Sequence, residues 1–574
     1  MMKGSGDGLK EGREGNRPLG WLRLGVYGSI IGSSCLIGLA VGLSTVGFVR
    51  LYTYIWGNFT STYEVRRYIV LMPVLGLSVA YLLVKGLAEV KTTGCGTHEL
   101  LELYHYGEGF IPERDTLVKP IASAITIGLG GSAGLEGPSL LLGGGVASAI
   151  CRRLGVSHED LRKYLLTGAA AGISAVFKAP LTGILYAIEI PYQRDLVREA
   201  FIPATFSSLV AYLISIGMLG SETIFPMVPY PTPPSYWTAF HALILGLITA
   251  GCGVVFTALF RFMKRLASVG PVRILNPITG GLLLGLIGWF YPQTLGLGYD
   301  TIGELLHGED LPLGLLVSLI VFKMIATSIT LSSGGSGGLF VPSIFVGSAL
   351  GAAYAGGVMG VQDKIIVTAA IAALISSTSK TLFASIAFVA ETSGPSSIIP
   401  SLISATTAYF ASGRSTFLSD VQPVHRMVEE EEAVEVLYHN LKERGRVDTL
   451  KELKVAQVMT TNPVFLLEGM ILDEAVNIMK YHNYRVYPVV TESMALIGCI
   501  EIEDVLKIPE YKRRLTLNSM PLRSPIMVKE DESIGKVMDL MIEYRADHVY
   551  VVRDLDGREL RGVIAGMDIL KKLI

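Results

Sequence analysis

From Trp21 to about residue 415 the chain is apolar almost without pause, yet the apolar positions do not form a uniform series of spans. Val26–Val49 and Ala239–Leu259 are long enough for a helix to cross the hydrocarbon of a bilayer. Ile121–Leu129, Ser139–Ile150 and Gly338–Ala355 are shorter and broken by glycine or proline. A bundle of straight spans would not be written this way, whereas a transport pathway lined by discontinuous helices would. Near Asp420 the pattern changes to a charged stretch holding Glu429–Glu432, Lys442, Glu443, Arg444 and Arg446, which predicts a solvated helical linker. Beyond it, β-rich runs (Val486–Val490, Val549–Val552, Gly562–Ala565) alternate with amphipathic helical ones, predicting a soluble α+β module.

The predicted organisation is therefore a tail over 1–20, a membrane domain over 21–420, a linker over 421–451, and two small domains over 452–510 and 516–574. Composition supports the membrane reading. Of 574 residues, 50% are hydrophobic and only 17% charged, where soluble domains carry about a quarter. The net charge of −2 excludes nucleic acid as a partner, because phosphate neutralisation needs a concentrated basic surface. The five cysteines, Cys35, Cys95, Cys151, Cys252 and Cys499, are scattered without CxxC or His pairing and suggest neither disulfides nor a metal site. Lys3, Lys10, Arg13, Arg17 and Arg23 outnumber the acidic residues before the first apolar run. That excess predicts a cytoplasmic tail, and no signal peptide is legible ahead of it.

Two repeats organise the chain further. At an offset of 62, Pro463 matches Pro525, Met479 matches Met541, and Val489-Val490 match Val551-Val552; a two-residue insertion then brings Gly498 and Asp504 onto Gly562 and Asp568. In the membrane part, Gly134-Leu-Glu-Gly-Pro138 lies over Gly338-Leu-Phe-Val-Pro342 at an offset of 204, each preceded by Gly-Ser. The run Pro180–Glu189 likewise parallels Leu382–Glu391. Halves of about 200 residues (about 21–225 and 235–420) with equivalent breaks mark a pseudo-symmetric transporter, and an inverted pair would bring both breaks to the midplane.

Each break reads as a glycine turn followed by a helix N-terminus, since proline is tolerated in the first helical turn. Helix N-termini present free N–H groups and partial positive charge, which favour an anion without burying a full cation. Between Lys119 and Arg152 the one charged side chain is Glu136, inside the first break; between Lys323 and Asp363 there is none. A carboxylate in the membrane interior costs on the order of 2.5 kcal/mol or more, so it is a functional candidate. Among helix N-terminal amides it reads as a tethered anion that competes with free ones and leaves on protonation. The competing reading is close packing through small residues, with Glu136 reaching a water layer.

These motifs resemble the CLC family of chloride channels and chloride/proton exchangers, over nearly the whole chain. The C-terminal repeat resembles a tandem cystathionine-β-synthase-type (CBS) pair. The resemblance implies an all-α polytopic membrane domain of two pseudo-symmetric, inverted repeats with broken helices, followed by an α+β cytoplasmic CBS pair. It also implies a homodimer in the lipid bilayer, with one pathway per subunit for chloride and related anions, and in some members for protons. It makes Glu136 the gating glutamate and lines the anion with Cys95, Gly96, Gly134, Leu135, Gly137, Gly338, Leu339, Phe340 and Phe417. Three departures stand out. Cys95 replaces a serine, and a thiol is a weaker donor. Phe417 stands for the inner tyrosine and lacks its hydroxyl, and Ile190 is apolar where prototypical exchangers carry a proton-relay glutamate. A channel or weakly proton-coupled transporter is expected, with a strictly coupled antiporter as the alternative and no catalytic activity or required cofactor. In the CBS pair the resemblance puts Asp504 and Asp568 on an adenine nucleotide's ribose. Glu501 and Ala565 occupy the usual Ser/Thr positions, so a structural dimerisation plate stays open. A zinc protease is a remote rival: His98-Glu99-Leu-Leu-Glu102 has Glu102 where the second histidine belongs.

Overall fold

The computed structural model describes residues 19–61, 66–107, 109–156, 158–225, 236–268, 276–426, 452–482, 484, 486–502, 505, 515–520, 522–544 and 546–573. Most of the tail and most of the linker predicted from the sequence lie outside the described residues. The chain falls into two compact units, Met1–His425 and Arg426–Ile574.

In the first unit, helices α1 (Leu19–Ser61), α2 (Arg66–Leu87), α3 (Gly96–His105), α4 (Glu113–Gly128), α5 (Glu136–Arg153), α6 (His158–Phe177), α7 (Pro180–Glu189) and α8 (Phe201–Leu219) form one half. The other half comprises α9 (Tyr236–Ser268), α10 (Pro277–Phe290), α11 (Tyr299–His307), α12 (Leu313–Ser332), α13 (Phe340–Tyr354), α14 (Lys364–Ser379), α15 (Leu382–Ser393) and α16 (Ile398–Ala411). Packing repeats with the order: α1 lies on α8 as α9 lies on α16, α5 on α6 as α13 on α14, and α6 on α8 as α14 on α16. The halves meet where α2 packs on α10, where α7 packs on α15, and where β1 (Gly94–Cys95) pairs in parallel with β2 (Ser336–Gly337).

Local chemistry explains the boundaries. Asn276 caps α10 through a capping box with Thr279, with Pro277 at the first helical position, and Asp363 accepts the Ile365 N–H at the start of α14. Lys178 and Lys380 occupy matched left-handed turns (φ 52° and 58°) just before α7 and α15, a conformation uncommon for side-chain-bearing residues. Small residues allow the dense contact of α5 with α6: a Cβ at Gly143 would stand 2.1 Å from the Gly168 carbonyl oxygen.

Among the described residues, six helices are long and apolar enough to cross a membrane. Their outward faces carry exposed leucines, among them Leu71, Leu75 and Leu82 on α2 and Leu243 and Leu247 on α9, while Trp237 and Trp289 lie near helix ends.

The second unit contains the two copies of the C-terminal repeat. In one, β4 (Leu466–Leu467) pairs in parallel with β5 (Val486–Val490) across α17 (Leu472–His482), and β5 turns back antiparallel to β6 (Leu496–Glu501). The other repeats the plan with β7 (Met527–Lys529), α18 (Ile534–Tyr544), β8 (His548–Val552) and β9 (Leu560–Ala565), ending in α19 (Gly566–Leu573). Strand β3 (Thr460–Thr461) joins the edge of β9. The register slips at Val489/Val490 in one copy and at Val551/Val552 in the other, the residues that matched at an offset of 62. Val490, Cys499, Tyr550 and Val552 are buried together in an apolar core drawn from both copies.

Candidate functional site

The two breaks bind each other. The Gly134 N–H donates to the Gly338 carbonyl and the Gly338 N–H to the Gly134 carbonyl, both at 2.9 Å. Reciprocal bonds continue outward: the Thr126 hydroxyl accepts from the Ser336 N–H and the Thr330 hydroxyl from the Ser132 N–H, both at 3.1 Å. Each pair exchanges its partners under the 204-residue offset, as a local two-fold axis between the breaks requires. Two buried chain reversals thus satisfy their backbone groups through one another.

Helices α5 and α13 start inside these breaks, at Glu136 and Phe340, with Leu135 and Leu339 as N-caps that offer no side-chain cap. Their first N–H groups are therefore free for another acceptor. A third N-terminus joins them, since α3 begins at Gly96 with Cys95 as its N-cap. A Cβ at Gly96 would stand 2.6 Å from the Gly137 carbonyl oxygen, and one at Gly137 2.9 Å from that of Gly337. Only glycine lets three backbones approach this closely.

Glu136 is fully buried, and one of its carboxylate oxygens accepts the Phe340 N–H at 2.5 Å, with the Val341 amide alongside. Its other oxygen, Oε2, has no hydrogen-bond partner among the described residues. The carboxylate of one half thus sits on the helix N-terminus of the other, where partial positive charge compensates a buried anion. Phe340 itself is ringed by Phe177, Tyr186 and Phe388, with centroids 5.1–5.5 Å away.

A cavity of about 10 Å³ brings Cys95, Leu339, Phe340 and Phe417 together with Thr97, Tyr186, Ser379 and Leu418. A volume of this order holds one water-sized particle. Sequence reasoning named the first four and missed the rest. The signal for Tyr186 was its polar tip within the apolar run Pro180–Glu189, one turn before the glutamate. Thr97 and Ser379 carry no comparable signal.

Ile190 is not among the residues lining that cavity. It is buried at the end of α7, where its carbonyl accepts from Gln422 at 2.9 Å. Beside it, Glu189 takes the N–H groups of Phe383 and Ala384 at the start of α15, at 3.0 and 2.9 Å. Glu391, near the end of α15, takes those of Leu181 and Thr182 at the start of α7, at 2.9 and 2.8 Å. Each helix of the pair is capped by the carboxylate of the other.

His98 faces Asp420 and Lys264, at 3.2 and 3.3 Å. Glu99 is paired with Lys119, which also lies 3.6 Å from Asp115. Among the described residues no group of three or more His, Cys, Asp or Glu is arranged to hold a metal ion. In the C-terminal unit Asp568 accepts the Ala565 N–H at 3.0 Å, and Glu501 is paired with Arg523. Asp504 lies outside the described residues.

Comparison with known proteins bears on this geometry. Residues 75–413 match the voltage gated chloride channel family, and residues 455–511 and 517–574 each match the CBS domain family. Chloride channel protein CLC-f of Arabidopsis thaliana is 26% identical over 92% of this chain and 75% of its own length. Among solved structures, a slow cyanobacterial Cl−/H+ antiporter aligns with a TM-score of 0.63 at 18% identity, over 72% of this chain and 99% of its own. A eukaryotic CLC transporter aligns with a TM-score of 0.57, also at 18% identity, over 94% of this chain and 97% of its own. At such identities the structural likeness establishes the fold, while the family match spans more than half of the chain. The chain belongs to the voltage gated chloride channel family, the CLC proteins, as a multi-pass integral membrane protein of CLC-type chloride transport with a C-terminal CBS pair.

Proposed function

We propose that this protein passes chloride between the N-termini of α3, α5 and α13, and that the Glu136 carboxylate is the gate. The observation that carries this reading is the carboxylate seated on the Phe340 amide with its second oxygen unpartnered. A carboxylate there takes the place a free anion would occupy. Chloride displaces it, or protonation removes its charge and its hold on the amide. Cys95, Gly96, Gly134, Leu135, Gly137, Gly338, Leu339, Phe340 and Phe417 form the walls of that passage. No lysine or arginine is required, and an anion held by dipoles alone can leave again.

Ile190 offers no carboxylate, which favours a channel or weakly proton-coupled transporter over strict exchange. The basic excess before the first span puts the N-terminus in the cytoplasm, and the CBS pair with it. A second copy of the chain completes a homodimer within the bilayer. The CBS pair acts as a structural plate. An adenine nucleotide on Asp504 and Asp568 is the alternative reading, with Glu501, held by Arg523, and Ala565 standing where the family's Ser/Thr would meet phosphate.

The test is purified protein in liposomes, with a chloride gradient and an internal pH-sensitive dye. Glu136→Gln is expected to keep chloride flux and lose most of its pH dependence; an unchanged pH profile would remove Glu136 from the gate. Chloride-driven proton movement in the wild type would make the protein an exchanger, with a proton route that bypasses Ile190. Absence of chloride flux in folded protein would overturn the reading as a whole.

A further inference from the structure

The cavity beside Phe340 is poor in donors at the two positions where sequence reasoning looked for them. Cys95 brings a thiol, a weak donor, and Phe417 brings a ring without a hydroxyl. The tertiary structure brings a different hydroxyl. Tyr186 projects from α7 into the wall of the same cavity, only 2% exposed, with its ring edge-on to Phe340 at 5.3 Å. Thr97 and Ser379, which are also buried, line the same cavity. The helix that carries Tyr186 is held at both ends, by Glu391 on the Leu181 and Thr182 amides and by Glu189 on α15. A phenol on so constrained a helix has little freedom to look elsewhere for a partner.

We infer that Tyr186 is the hydroxyl donor to the anion in this cavity, taking over from the absent serine and tyrosine hydroxyls at Cys95 and Phe417. A phenol has a single proton to give, and here it goes to the anion, while the Thr97 and Ser379 hydroxyls line the cavity beside it. A hydrogen bond to a charged acceptor is about twice as strong as a neutral one, so one phenol offsets much of what the thiol lacks. The hydroxyl also sets selectivity. Chloride gives up more hydration than bromide on binding, and a strong donor compensates the smaller ion more. This inference rests on the anion-transport reading above.

The experiment is isothermal titration of the purified full-length protein with chloride and with bromide, for wild type, Tyr186→Phe, Cys95→Ser and the double variant. Tyr186→Phe is expected to weaken chloride binding roughly ten- to hundredfold, the worth of one hydrogen bond to a charged group, and to weaken bromide binding less. In the double variant the hydroxyl that Cys95→Ser introduces into the same cavity is expected to recover most of the loss. Wild-type chloride affinity in Tyr186→Phe would overturn the assignment. So would a loss that Cys95→Ser does not relieve, because that would make Tyr186 a packing residue. No chloride binding by the wild type would overturn the anion reading itself, a result distinguishable from either.

Discussion

The two breaks share a backbone and differ in one side chain. Gly134 and Gly338 exchange hydrogen bonds, Thr126 and Thr330 hold the turns at matched places, and helices start at matched residues. At the equivalent positions 136 and 340, however, one half has a carboxylate and the other a phenyl ring, and the amide of the second binds the carboxylate of the first. The difference teaches how a duplicated scaffold becomes a directional device. Symmetric backbone supplies amides from both sides, and a single asymmetric side chain, the Glu136 carboxylate, occupies one of the two N-termini. A glutamate at both positions would crowd two like charges into one buried space, which would force one of them to stay protonated. The pair α7 and α15 shows the opposite case: both halves retain the glutamate, and each caps the other's helix.

The largest expected effect separates these two uses of a carboxylate. Glu189 is 6% exposed and Glu391 is only half-buried. Replacing Glu189 by Ala strands the buried Ala384 N–H and the half-buried Phe383 N–H and is expected to cost about 3 kcal/mol, whereas Glu391→Ala strands the half-buried Thr182 N–H and leaves the Leu181 N–H exposed, and is expected to cost about 1 kcal/mol. Denaturant midpoints of the purified variants measure both, and equal losses would contradict the burial argument. Next come Thr126→Val and Thr330→Val. Each leaves one buried amide unpaired at a matched position, so each is expected to cost about 2 kcal/mol, and the two costs are expected to agree. A clear inequality between them would mean that the backbone symmetry does not extend to energetics. Smallest in stability is Gly338→Ala. Its Cβ would stand 1.9 Å from a Glu136 carboxylate oxygen, the far end of a flexible side chain, which can swing away. Stability is expected to change by less than about 1 kcal/mol. The pH dependence of flux is expected to flatten as it does in Glu136→Gln, and retention of the wild-type pH profile would argue against displacement of the carboxylate.

Much of this architecture is legible in the sequence because it is written in backbone chemistry. Glycine and proline at fixed spacing state where helices break and restart, and their recurrence at an offset of 204 shows that the break is duplicated. A single carboxylate in an apolar stretch announces itself by its cost, which is why Glu136 is identifiable without coordinates. Strands β5, β8 and β9 of the C-terminal unit fall on the apolar β-rich runs read from the sequence. Less accessible are contacts between residues that are distant in the chain and ordinary in type. Thr97, Tyr186 and Ser379 come from three separate helices or their ends, and only the polar tip of Tyr186 stands out where it lies. The caps of Glu189 on α15 and Glu391 on α7 span about 200 residues, and the sequence shows the two glutamates without showing that they are exchanged.

The sequence by itself therefore determined the membrane class, the duplicated helix breaks, the gating candidate and the paired C-terminal domains. Each of these depends on the conformational or solvation cost of individual residues. Only the tertiary structure decided which N-terminus the Glu136 carboxylate occupies, how the two breaks satisfy one another, and which buried hydroxyl-bearing residues line the cavity beside Phe340. Those outcomes depend on the convergence of helices from both halves, and their geometry is set by close packing at glycines rather than by any local pattern.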